Sequence, residues 1–305
     1  MALNQKAIKT RIKSVENTKK ITKAMEMVSA AKMRRAVDAA LATREYADLA
    51  RGLMEHLSNL DDPDFPLLEN RDVKHLLVVL ISSNRGLCGS YNSSIMKATK
   101  RAIDTIANKK MNVSIVGIGK RSAGFAKKHG YALPAVYDRV TESPALDEVL
   151  PIARFCTEGF GDRTYDRVLV AYTDFKSSIA QEPRIAQVLP ISQDSLDDLQ
   201  TSLGDNVKSK DHEKETVAIE EYLFEPDLGT VINEVLPRLV EVQLYQAVLE
   251  SSASEHSARM VAMKSASDAA GEMIDELKLS SNKARQAAIT QEIAEIAGGA
   301  AALAG

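Results

Sequence analysis

The sequence predicts an α/β protein: a long antiparallel coiled coil made by the N- and C-terminal helices, with a Rossmann-like α/β domain inserted between them. Three observations carry that expectation. Between Pro237 and Gly298 there is no proline and a single glycine, Gly271. Residues 1–51 contain neither glycine nor proline. From about 73 to 195, short apolar runs alternate with stretches of helical character. The expected organisation is a helix over 1–60, the α/β domain over 73–195, a connecting segment over 196–226 and a second helix over 227–305.

In the first helix Ile8, Ile12, Val15, Ile21, Met25 and Val28 recur at helical spacing, with Lys and Arg on the other faces. Continuing through the Ala-rich stretch 36–50, it should end near Leu60. The prolines and aspartates of Asp61-Asp62-Pro63-Asp64-Phe65-Pro66 stop it, because a residue before proline is driven out of helical backbone. The segment Lys74–Ser82 then holds an unbroken apolar run of strand length, as in a strand buried on both faces. A helix is expected over about Tyr91–Asn108, a strand over Asn112–Gly117 and a basic helix over Lys120–His129. A short strand at Ala135–Tyr137, a helix near 145–159, a strand at Arg167–Tyr172 and an added edge strand at Arg184–Ile191 complete the set. Strands alternating with helices predict a parallel sheet.

Residues 193–215 are acidic, polar and poor in apolar side chains, the composition of a loop. Tyr222–Pro226 is expected as a short strand or turn, and Pro237 as a kink or a fresh helix start. The last sixty residues are rich in Ala and straight-chain side chains, which lose little entropy on coiling. At about 1.5 Å per residue they would span roughly 90 Å, too long for a compact domain to enclose. Such a helix needs a partner along its length. Val240, Leu244, Ala247, Ser251, Ser254, Ala258, Val261 and Ser265 fall at alternating gaps of four and three, a coiled-coil rhythm whose small residues favour close approach.

Charge is unevenly placed. The formal net charge is -3, yet residues 1–51 carry twelve Lys/Arg against five Asp/Glu. A basic helix on an acidic remainder points to an acidic surface on a partner rather than to nucleic acid. Cys88 and Cys156 have no CxxC spacing, so free thiols in a reducing compartment are expected, without a disulfide framework or zinc site. No run of 18 apolar residues occurs, so no membrane span is expected. Glu16 and Glu26 interrupt the basic N-terminus and no apolar core follows, so neither a transit nor a signal peptide is expected.

Catalytic signatures are weak. Gly117-Ile118-Gly119 precedes a helix as a dinucleotide fingerprint would, but the third glycine, Gly124, comes two residues late for GxGxxG. A P-loop fails because Ser114 replaces its first glycine and Arg121 its Ser/Thr. The turn Ser82-Ser83-Asn84-Arg85-Gly86-Leu87-Cys88-Gly89-Ser90 is expected to be a tight strand-to-helix connection, and Cys88 a buried small hydrophobe. No catalytic residue, cofactor or metal is expected.

The run Ile12-Lys13-Ser14-Val15-Glu16-Asn17-Thr18-Lys19-Lys20-Ile21-Thr22-Lys23-Ala24-Met25-Glu26-Met27-Val28-Ser29-Ala30-Ala31-Lys32-Met33 closely resembles the opening of the γ subunit of F-type ATP synthases, bacterial type. Ser257–Asp268 and Asn282–Ile293 resemble that family's ending, and Arg85-Gly86-Leu87-Cys88-Gly89 its internal turn; the likeness covers essentially the whole chain. The resemblance implies a non-catalytic central-stalk rotor that turns inside a ring of three α and three β subunits. Its terminal helices would form the coiled coil, and its α/β domain would lie beside the ε subunit and the membrane c-ring. Catalytic sites would belong to β, and the chain would couple proton flow to ATP synthesis or hydrolysis from the cytoplasmic face of the bacterial inner membrane.

Carried over position by position, Lys20 and Met25 match places near the contact with β. Arg259, Arg285, Gln286 and Thr290 match places of rotor–stator coupling, and Tyr222, Phe224 and Glu225 the foot that meets ε and the c-ring. Arg34 and Arg35 are further candidates to face acidic loops. The uncharged tip Ile296–Gly305 suits an apolar sleeve. Ser281 departs from the aromatic residue that many relatives carry before Asn282. No inserted dithiol segment like that of chloroplast relatives is present. Two other classes compete with this expectation: a nucleotide-dependent enzyme that dimerises through its helices, and a coiled-coil adaptor.

Overall fold

The computed structural model describes residues 2–57, 65–106, 111–140, 144–191 and 228–304, with side chains given for all of these except 2–5, 44–57, 228 and 301–304. The chain divides into two units, Ala30–Arg259 and the pair of segments Met1–Ser29 and Met260–Gly305. Five α-helices occur among the described residues: α1 (Ala2–Leu57), α2 (Tyr91–Ile106), α3 (Lys120–His129), α4 (Leu146–Gly161) and α5 (Leu228–Ala304). The strands are β1 (His75–Ile81), β2 (Asn112–Ile118), β3 (Ala132–Tyr137), β4 (Arg167–Phe175) and β5 (Gln181–Leu189).

In the unit Ala30–Arg259 the sheet order is β3-β2-β1-β4-β5. The first four strands run parallel, with Val78 opposite Ile115 and Leu169, while β5 pairs antiparallel with β4. The apolar run of β1 is buried on both faces because successive side chains point to opposite sides. Leu77, Val79 and Ile81 enter one core with residues of α4 and α5; Leu76, Val78 and Leu80 enter the other with Ile95, Ile103 and Phe125 of α2 and α3. The edge strand β3 is half-buried at best.

The α5 face made by Val240, Leu244, Ala247, Ser251 and Ser254 is buried as expected, but against the sheet rather than against α1. In this unit α1 meets a different face of α5. Lys32 lies beside His256, and Thr43 Oγ1 donates to Gln246 Oε1, so the two helices run antiparallel. The expected continuation of the stripe does not hold. Ala258 is half-buried, whereas Val261 and Ser265 are exposed. Proline 237 lies inside α5 and neither starts nor ends it. The carbonyl four residues earlier belongs to Asn233, an exposed residue, so water can replace the missing donor.

In the other unit the buried seam of α5 is Met263, Ser267, Ala270 and Ile274, at gaps of four, three and four, with Ser281 a further seven residues on. On α1 the repeat of seven runs through Ile8, Val15, Thr22 and Ser29, the last two buried. Ile21 and Val28, expected in the seam, are 60% and 57% exposed. Helix geometry assigns the inward direction by position, so the small neighbours Thr22 and Ser29 face inward and the bulkier residues do not. Lys19 reaches over Gly271, where an added Cβ would come within 2.9 Å of its Nζ.

Candidate functional site

In a sheet of this order a ligand crevice opens where the strand sequence reverses, between the carboxyl ends of β1 and β4. Here α5 occupies that place. The Thr173 N–H of β4 donates to Ser251 Oγ at 3.0 Å, and Ser254 Oγ donates to the Thr173 carbonyl at 3.1 Å. Just beyond β4, Ser257 Oγ donates to the Ser178 carbonyl at 2.7 Å. On the β1 side, the Arg259 guanidinium reaches the carbonyls of Arg85 and Gly86 at 3.4 Å. These hydroxyls exist because small side chains let the helix approach strand ends closely enough to satisfy their backbone groups.

Arg259 is itself held in place. Its Nη2 lies 2.7 Å from Glu255 Oε1, one helical turn back, and the two side chains are 9% and 7% exposed. Its Nη1 is 3.2 Å from His256 Nδ1. A guanidinium can only donate, so Nδ1 accepts and the imidazole carries its proton on Nε2. Burial first, then Arg259 and Lys32, lower the His256 pKa to about 4. Under the same helix Tyr91 is buried, and burial followed by the Glu255 carboxylate keeps its phenol protonated.

The glycines after β2 serve packing rather than phosphate binding. Gly119 has φ +85°, and a Cβ there would lie 2.1 Å from the Ser82 carbonyl oxygen; one on Gly117 would lie 2.2 Å from Ser122 Oγ. The first N–H groups of α3, which a phosphate would need, are engaged by the β1 turn. Lys120 N–H donates to Asn84 Oδ1, Arg121 N–H to the Ser83 carbonyl and Ser122 N–H to Ser82 Oγ. Cys88 is enclosed by the same turn, its Sγ 3.2 Å from Asn92 Nδ2. Cys156 is a second buried free thiol, which burial pushes up to about 12. Among the described residues no group of three or more His, Cys, Asp or Glu could hold a metal ion.

The residues expected at the coupling surface fall into two classes. Lys20, Arg285, Gln286 and Thr290 are exposed and Met25 is half-buried. Thr290 Oγ1 turns back to the Gln286 carbonyl at 2.9 Å. Arg259 differs, being buried and committed to Glu255 and the β1 turn. Arg34 and Arg35 are exposed. Tyr222, Phe224 and Glu225, with residues 210–215, lie outside the described residues. From Ile289 to Ala300 every residue is exposed, with Ile289, Ile293 and Ile296 on a common stripe. Glu255, His256 and the serines 251, 254 and 257 escaped sequence reasoning as a site. Their only signal was a polar run at a depth where α5 is otherwise apolar.

A sequence model of the family described as ATP synthase matches residues 4–303. The chain is 39% identical to the ATP synthase gamma chain of Cupriavidus necator, over 98% of this chain and 99% of that one. Identity to the gamma chain of Ralstonia nicotianae is 40% over the same shares. Its fold is similar to the rotor of the Euglena gracilis mitochondrial ATP synthase, with a TM-score of 0.62 at 19% identity over 95% of this chain and 100% of that one. It is also similar to a chain of the central stalk and c-ring of the Tetrahymena thermophila enzyme, with a TM-score of 0.58 at 26% identity over 81% and 99%.

Proposed function

Because the chain belongs to the ATP synthase gamma-chain family, we propose that its exposed helix residues carry the coupling between shaft rotation and the nucleotide affinity of the catalytic sites. The chain is a central-stalk subunit of F-type ATP synthase, a peripheral membrane assembly, and catalysis resides on the partner β subunits. No helix among the described residues is long and apolar enough to cross a membrane. The observation that carries the reading is the course of α5 over the carboxyl ends of β1 and β4. The fold's ligand crevice is spent on holding a helix, which leaves the helices to do the work.

A rotor changes the state of a ring only by contacting each state differently. Lys20, Met25, Arg285, Gln286 and Thr290 are offered to such contacts; Arg259 anchors the helix to the α/β domain from within. The stripe Ile289, Ile293 and Ile296, with the uncharged end of α5, suits a sleeve in which it turns without breaking ion pairs. Tyr222, Phe224 and Glu225 are proposed as the foot that meets ε and the c-ring, on the cytoplasmic face of a bacterial inner membrane.

The test is reconstitution. Adding the chain to α and β subunits should produce coupled ATPase turnover, whereas unchanged turnover would make it an adaptor. Calorimetric titration of the chain with ATP and NAD should show no stoichiometric binding, and tight binding of either would favour a nucleotide-dependent enzyme.

A further inference from the structure

Between α1, α5 and Pro144 lies a cavity of about 190 Å³, wholly within the unit Ala30–Arg259. Its polar lining is Lys32 and Arg35 from α1 with Ser252 and His256 from α5; Leu249 and Pro144 are among its apolar walls. Among the described residues no carboxylate lines it. Lys32 and Arg35 enter no ion pair among the described residues. Ser252 and His256 are 5% and 7% exposed. Because His256 Nδ1 accepts from Arg259, its Nε2–H is a donor, and no described residue accepts from it. Among the described residues the polar groups lining this space are thus two cations, the His256 Nε2–H donor and the Ser252 hydroxyl, which can donate or accept. Lys32 and Arg35 are exposed on α1, whereas Ser252 and His256 lie buried behind them.

We propose that this cavity binds a small oxyanion of the inorganic phosphate class, held by Lys32, Arg35, Ser252 and His256. Size argues for the free ion, since pockets that take drug-sized ligands begin at roughly 300 Å³. A doubly charged oxyanion offers acceptors to all four groups at once, and hydrogen bonds to ions are about twice as strong as neutral ones. The ion would bridge α1 and α5 and so tighten the helix pair by mass action. The site borders the closed crevice through the His256–Arg259 contact and shares Arg35 with the candidates to face acidic loops, but it does not use Lys20, Met25, Arg285, Gln286 or Thr290.

The test uses the full-length chain and sodium phosphate at constant ionic strength, with chloride as the balancing salt. The readouts are Tm and the ¹⁵N shift of His256 Nε2. A saturable rise in Tm with a matching shift at Nε2 is expected. Lys32→Gln combined with Arg35→Gln, both at exposed positions, should keep the unliganded Tm and weaken the apparent Kd by at least about tenfold. An unchanged response in that variant overturns the proposal, as does a response to chloride equal to that to phosphate. ADP at equal concentration should act more weakly; if it acts more strongly, the ligand is a nucleotide polyphosphate and the proposal is wrong. Loss of the phosphate response on assembly with α and β subunits also overturns it, in favour of a partner's acidic side chain as occupant.

Discussion

Arg259 shows how a residue matched to coupling can act from inside the molecule. Its guanidinium is nearly buried, paired with Glu255 and aimed at the carbonyls of the turn after β1. Arg259→Ala would remove the 2.7 Å cation partner of the buried Glu255 carboxylate together with the contacts to the β1 turn, and should cost about 3–5 kcal/mol, read by urea unfolding. Replacing both residues by Met should recover part of that loss, because it removes the buried carboxylate along with its cation. A double variant as unstable as Arg259→Ala would mean that the carbonyl contacts dominate instead. His256 sets a pH dependence. Its folded pKa of about 4 lies below the ordinary 6.5, so between these values the unfolded chain binds the extra proton. Stability therefore rises with pH across that window and falls as the pH drops from about 6.5 towards 4. His256→Gln should flatten this limb in unfolding curves at pH 7 and 4.5, and an unaltered slope would assign it to other groups.

Two glycines behave oppositely at the level of elements. Gly119 links β2 to α3 at φ +85°, with the Ser82 carbonyl where a side chain would be. Gly119→Ala combines backbone strain with a clash against main chain and should lower stability by more than about 2 kcal/mol. Gly271 sits in a helix interior, and its nearest neighbour is the flexible end of Lys19. Gly271→Ala should therefore raise stability by up to about 1 kcal/mol through helix propensity, with Lys19 moving aside. A fall in Tm would show that Lys19 is fixed over the glycine. The contrast also explains why the glycine spacing after β2 resembled a nucleotide fingerprint. Strand-to-helix closeness needs small residues whether or not a phosphate is present.

For the whole molecule, Met25 is the sharpest probe of the rotor reading. It is half-buried on α1, so Met25→Lys adds charge at a close contact without removing a core residue. ATP-driven proton pumping should fall well before assembly with α and β subunits does. Normal pumping in that variant would remove Met25 from the coupling surface. Neutral replacement of Arg285, exposed on α5, offers a parallel measurement in which assembly again serves as the control.

Among the described residues, the sequence by itself determined where most helices and strands lie, because those signals are local. Absent glycine and proline leave a helical ladder unbroken, and an unbroken apolar run such as Leu76–Ile81 has a strand's length and a strand's two buried faces. It also argued against the dinucleotide fingerprint by the spacing of Gly124 and against the P-loop by the residues Ser114 and Arg121. Only the tertiary structure decided what each buried face meets. The stripe from Val240 to Ser254 fits a helix or a sheet equally well, since gaps of three and four specify one side of a helix and not its neighbour. Thr22 and Ser29 replaced Ile21 and Val28 in the seam for a related reason: direction follows position on the helix, whatever the size of the side chain. The joining of Arg259 to Gly86 was beyond any local pattern, because packing α5 across the ends of β1 and β4 is what brings such distant residues together.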